Sequence, residues 1–191
     1  MRKLVFLIAV MLSCASVYGQ QPVEGNNSSV EVALNLGENG GLTISSPALR
    51  YRYFFNSIFA ARLQLLVNNS SQEQAGSELK SSTWTAIPAF EYHFSGNDNL
   101  DPFAFVGIGF GGVSSEFTDP SGLITKSEST SFGYSVGLGM DYYVIDRVYV
   151  GTEVGFSSNT VTTPVDGQTE DDKQSQSGFG ATAGIRLGWR F

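Results

Sequence analysis

Along most of the chain, apolar and polar residues take turns with a period of two. The clearest run is Phe179 to Phe191, FGATAGIRLGWRF. Phe179, Ala181, Ala183, Ile185, Leu187, Trp189 and Phe191 share one face. Gly180, Thr182, Gly184, Arg186, Gly188 and Arg190 share the other. Successive side chains of a strand point to opposite faces, so this is a strand with one apolar face and one small or cationic face. The same pattern marks seven earlier segments, at roughly 29–37, 43–53, 58–68, 80–94, 103–116, 130–144 and 147–158, with the closing one at 177–191. Most reach the roughly 9–11 residues that a tilted membrane-crossing strand needs. No stretch shows helical periodicity.

The connections alternate as well. Residues 54–57 (FFNS), 95–101 (SGNDNLD) and 145–146 are short, whereas 69–79, 117–129 and 159–176 are long and polar; 38–41 (ENGG) is a short exception. Membrane barrels have short turns at the periplasmic end and longer loops outside. Eight strands that begin and end in the periplasm place every long loop outside. A soluble β-sandwich has no reason to alternate in this way.

Each face has its own chemistry. The apolar face carries aliphatic residues flanked by aromatics. Tyr51, Tyr53, Phe59, Tyr92, Phe94, Tyr142, Trp189 and Phe191 fall near the periplasmic end, and Trp84, Phe110, Phe132, Tyr134, Phe156 and Phe179 near the other. Two aromatic belts around an apolar band are expected where amphipathic rings sit at both membrane interfaces. The opposite face carries Glu31, Arg50, Arg52, Arg62, Glu91, His93, Asp141, Glu153, Arg186 and Arg190 among many glycines. It has no lysine. Arginine is preferred where a charge is enclosed and must be hydrogen-bonded by carboxylates, because its planar fork bonds two oxygens at once. Five arginines against four carboxylates nearly balance, as an interior of low dielectric requires. The expected fold is all-β, an eight-stranded antiparallel up-and-down transmembrane barrel whose charged face lines a narrow lumen. A soluble lipocalin-like barrel would reverse the two faces and carry lysine outside.

Composition fits this reading. The 191 residues include 41% hydrophobic ones, and mean hydropathy is −0.03, because only every second strand residue faces lipid. The formal net charge of −7 excludes a nucleic-acid partner bound through a basic surface. Residues 1–19 read as a signal peptide: Arg2 and Lys3, then an apolar run from Leu4 to Leu12, then small residues ending at Gly19. That run is too short to span a membrane as a helix. Cys14 could mark a lipoprotein signal, but Met11, Leu12 and Ser13 before it form a poor lipobox. Residues 20–191 are then one barrel domain.

FGYSVGLGMDYYV, RVYVGTEVGF and GFGATAGIRLGWRF resemble segments of small outer-membrane β-barrel proteins of the OmpA/OmpX and opacity-protein type. The chain departs from that family at Arg186, where a glycine often stands five residues before the last aromatic. The resemblance implies the bacterial outer membrane as location. It implies contact with outer-membrane lipid and lipopolysaccharide, recognition by the barrel-assembly machinery through the last strand (Ile185, Leu187, Trp189 and Phe191), and an extracellular ligand at the long loops.

Chemistry is sparse. No cofactor or metal site is expected, and no catalytic residue is assigned. His93 and Glu91 could form a general-base pair, as in a barrel acyl hydrolase, but such enzymes place the histidine toward lipid beside a serine, and His93 points inward by alternation. The acidic loop DGQTEDDKQ lacks calcium-loop spacing and reads as a solvated surface. GFGG and GLG lie within strands, and no helix follows to bind phosphate. The expected role is structural or adhesion-like, with surface loops above a lumen closed by charge pairs. The alternatives are a narrow pore or passive channel and, behind it, a lipid-modifying enzyme.

Overall fold

The computed structural model describes residues 27–36, 42–94, 96, 99–164 and 171–191, of which 33–36, 42–47 and 180–184 as backbone alone. The signal-peptide reading and most of the acidic loop fall outside these residues. Eight strands follow in order: β1 (Ser28–Leu36), β2 (Leu42–Phe54), β3 (Phe59–Gln74), β4 (Ser77–His93), β5 (Leu100–Thr118), β6 (Ile124–Ile145), β7 (Val148–Thr163) and β8 (Asp172–Arg190). Each pairs antiparallel with its neighbour, and β8 returns to β1 to close the barrel. At the seam, the Ser28 and Phe191 backbones exchange hydrogen bonds of 3.0 and 2.8 Å. Closure removes free edges from the wall, which an apolar surround demands because it offers no partner for backbone groups.

The faces point as the alternation predicts. Leu63, Leu65, Val106, Ile108, Val136, Leu138 and Leu187 are exposed on the outside, while Arg52, Glu91, Asp141 and Arg186 are fully buried inside. That is the reverse of a soluble barrel. The outward aromatics gather in two belts. At the short-turn end Phe59 meets Tyr92, Tyr92 meets Phe94, and Trp189 meets Phe191, at centroid distances of 5.5, 5.2 and 5.2 Å. At the opposite end Phe110 meets Phe132 at 5.5 Å and Tyr134 meets Phe156 at 6.3 Å.

Two expectations about the backbone need correction. The segments expected as long loops are mostly strand. β3 and β4 stay paired to Gln74↔Ser77, joined by Ala75 and Gly76 alone, with φ of 52° and 82°. A two-residue turn with both φ positive matches the right-handed twist of its strands. β5 and β6 pair to Thr118↔Ile124. There Asp119 accepts hydrogen bonds from the Ser121 backbone, the Ser121 hydroxyl and the Leu123 backbone at 2.9, 2.7 and 2.9 Å. The Ser121 hydroxyl bond, the largest cause, holds the Asp119 carboxyl below its ordinary range. The second correction concerns β8. Its pairing with β7 shifts register between Gly151 and Glu153 and again between Glu153 and Gly155, so the expected unbroken run is bulged in its middle. Ile185, Leu187, Trp189 and Phe191 still face out, and Arg186 and Arg190 in.

Candidate functional site

The interior is built by residues of one parity on each strand. Glu31 comes from β1, Arg50 and Arg52 from β2, Arg62 and Gln64 from β3, Glu91 and His93 from β4, Asp141 from β6, Glu153 from β7, and Arg186 and Arg190 from β8; all are buried. Adjacent strands do not simply set opposite charges side by side. Arg52 stands directly opposite Arg62 in the β2–β3 register. Each of these two cations draws on a carboxylate of its other neighbouring strand, Glu31 for Arg52 and Glu91 for Arg62, and each also reaches across the barrel, to Asp141 and Glu153 respectively.

Arg50 crosses to β7, where Nη1 and Nη2 donate to the two oxygens of Glu153 at 2.7 and 3.1 Å, while its Nε donates to Gln64 at 2.7 Å. Arg62 Nη1 lies 2.8 Å from Glu91 and 2.7 Å from Glu153. Arg52 sits at the centre. Its Nη1 donates to Asp141 at 2.7 Å. Its Nη2 and Nε lie 2.7 and 2.8 Å from Glu31 and Glu91, as ion-pair contacts off the N–H direction. Arg186 donates to Glu31 at 2.7 Å and to Asp141 at 2.6 Å. Its contact with Glu153, expected to be the leading one, is longer at 3.5 Å and runs through Nε. His93 places one ring nitrogen 2.9 Å from Asp101 and the other 3.3 Å from Glu91. Arg190 lies lower, its guanidinium 3.9 Å from the centre of the Phe54 ring and 3.2 Å from the Tyr143 hydroxyl.

Glycines make these reaches possible. Asp141, Gly151 and Arg186 stand in line across β6, β7 and β8. The Arg186 guanidinium passes over Gly151 to Asp141, and a Cβ on Gly151 would overlap both groups. Tyr149, Gly188 and Glu31 repeat the device across β7, β8 and β1. The Tyr149 hydroxyl donates to Glu31 at 2.7 Å over Gly188, where a Cβ would meet the tyrosine ring. Gly139 likewise makes room for Phe103.

The sequence reading missed part of this interior. Phe54, Phe103, Phe105 and Tyr149 are buried among the charges. Arg62 lies 4.6 Å from the Phe105 ring centre and Arg52 5.0 Å from that of Phe103, within cation–π range. The signal was present, because Phe103 and Phe105 share parity with Gly107. Toward the extended-hairpin end the interior widens into a cavity of about 520 Å³ bounded by Arg50, Arg62 and Glu153.

The model of the outer membrane protein beta-barrel domain family matches residues 5–191. The chain belongs to that family. As a member it resides in the bacterial outer membrane, and the outward apolar band between the aromatic belts is its lipid-facing surface. Solved structures show the same fold. Outer Membrane Protein W of E. coli superposes with a TM-score of 0.54 at 15% identity, covering 88% of this chain and 99% of that one. A major outer membrane protein from Thermus thermophilus gives 0.53 at 14%, covering 88% and 100%. Ail, the attachment invasion locus protein of Yersinia pestis, gives 0.50 at 16%, covering 87% and 97%. No curated protein matches the chain in sequence.

Proposed function

We propose that this barrel is a surface-interaction protein whose lumen is closed by its charged network. One observation carries the reading: Glu31, Arg50, Arg52, Arg62, Glu91, Asp141, Glu153 and Arg186 fill the mid-section as a charge-balanced cluster with contacts as short as 2.6 Å. An ion crossing this section would have to displace side chains so bonded. Above this plug the wall continues as the paired hairpins β3–β4 and β5–β6, whose polar faces carry exposed pairs such as Lys80–Glu78 and Lys126–Glu116. In this reading the hairpins lie outside the cell and meet an extracellular ligand or lipopolysaccharide, and β8 is the segment read by the barrel-assembly machinery. A non-catalytic role is supported by His93, whose two ring nitrogens both face carboxylates rather than a hydroxyl nucleophile.

Planar-bilayer recording of the refolded full chain tests the closure. The expected trace shows no steady single-channel steps. A large, stable conductance in the unaltered protein would replace the plug with a pore.

A further inference from the structure

The 520 Å³ cavity at the extended-hairpin end falls within the roughly 300–1,000 Å³ typical of small-molecule sites. Its charged lining among the described residues is Arg50, Arg62 and Glu153, two cations against one anion, in a chain whose formal net charge is −7. The two arginines differ in how far they are satisfied. Arg50 donates through Nε, Nη1 and Nη2. Both carboxylate contacts of Arg62 run through the single nitrogen Nη1. Its buried Nε has no acceptor among the described residues. A guanidinium is a five-donor fork suited to a carboxylate, so Arg62, whose two carboxylate contacts share one nitrogen, retains donors for a further anion at the cavity wall. Gln64, Asn159 and Gln176 add amides to the same wall. Amides both donate and accept, which suits hydroxyl groups.

We propose that this cavity binds a small hydroxylated carboxylate of monosaccharide size, its carboxylate held by Arg62 and its hydroxyls by the amides of Gln64, Asn159 and Gln176. The site stands whether or not the network beneath it stops ions. Its chemistry requires the negative charge: a neutral sugar of the same shape would engage the amides but leave the spare guanidinium donors without an anion.

Calorimetric titration of the refolded full chain in detergent with sodium glucuronate and with glucose tests this, since the two probes differ at the carboxylate. Glucuronate should bind at least about tenfold more tightly than glucose, about 1.4 kcal/mol. Ser157→Trp fills the cavity from a lining position and should abolish glucuronate binding. Ser158→Trp, on the opposite face of β7, should preserve it. If Ser157→Trp fails to fold, judged by heat-modifiable migration, Asn159→Ala should weaken glucuronate about fivefold or more. Equal affinity for the two sugars would overturn the proposal. So would glucuronate binding that survives Ser157→Trp, that is lost equally in Ser158→Trp, or, in the fallback, that is unchanged by Asn159→Ala.

Discussion

Replacing Arg186 by methionine removes the cation from the crossing over Gly151. Asp141 loses a 2.6 Å partner and Glu31 a 2.7 Å partner, both fully buried. Breaking a buried pair by removing one member typically costs about 3–5 kcal/mol, because the remaining charge is uncompensated. Here Asp141 keeps Arg52 at 2.7 Å, and Glu31 keeps Arg52 and the Tyr149 hydroxyl, both at 2.7 Å. We therefore expect the lower part of that range, about 3 kcal/mol. Coupling should separate the two candidate partners. Measured pair terms run about 0.5–3 kcal/mol. Arg186 with Asp141 belongs in the upper half, being hydrogen-bonded and sealed from solvent. Arg186 with Glu153 belongs at the bottom, because its 3.5 Å contact is off the N–H direction and Glu153 already receives Arg50 and Arg62. The assay is reversible urea unfolding in liposomes for Arg186→Met, Asp141→Asn, Glu153→Gln and the two double variants. A Glu153 coupling equal to or larger than the Asp141 coupling would refute the reasoning.

Gly139→Ala should destabilise the barrel by about 1–3 kcal/mol through overlap with Phe103, whereas Gly109→Ala, where the new Cβ would sit 3.7 Å from its nearest neighbour, should be neutral or slightly stabilising; the same urea assay compares them. Cysteine at Ser121, in the β5–β6 turn, should label with an impermeant maleimide on intact cells and cysteine at Asn56, in the β2–β3 turn, should not; the opposite result inverts the orientation. Deleting Phe191 removes its hydrogen bonds to Ser28 and its ring contact with Trp189, so outer-membrane assembly, read by heat-modifiable migration, should fall more than after deleting three residues from 166–172.

The membrane-crossing parts of the strands were legible because lipid enforces the alternation: Leu63, Leu65 and Val67 must face out, and Arg62 and Gln64 in. Beyond the aromatic belts that constraint ends. Residues 68–74, NNSSQEQ, are strand with water on both faces, so no period of two appears in them, and a polar strand reads as a polar loop. The interior charges were legible as a set through parity and the absence of lysine. Their pairing was not. Arg186 bonds a carboxylate two strands away because Gly151, the residue between, has no side chain, and only the register reveals which three residues fall in line. The inward rings of Phe103, Phe105 and Tyr149 were overlooked because a reading centred on charge passes over apolar residues of the right parity.

The hairpins have one further consequence. β4 and β5 stay paired to Glu78↔Thr118, so much of what sequence suggests is slack chain is joined laterally as sheet. A partner that docks there meets a backbone already in its final shape, and association does not have to freeze a wandering loop, a cost that otherwise weakens contacts made by long connections. Side chains on such a surface can be exchanged one at a time without reshaping it. If the hairpins are the docking surface proposed above, its contact chemistry can change residue by residue while the wall that carries it keeps its register.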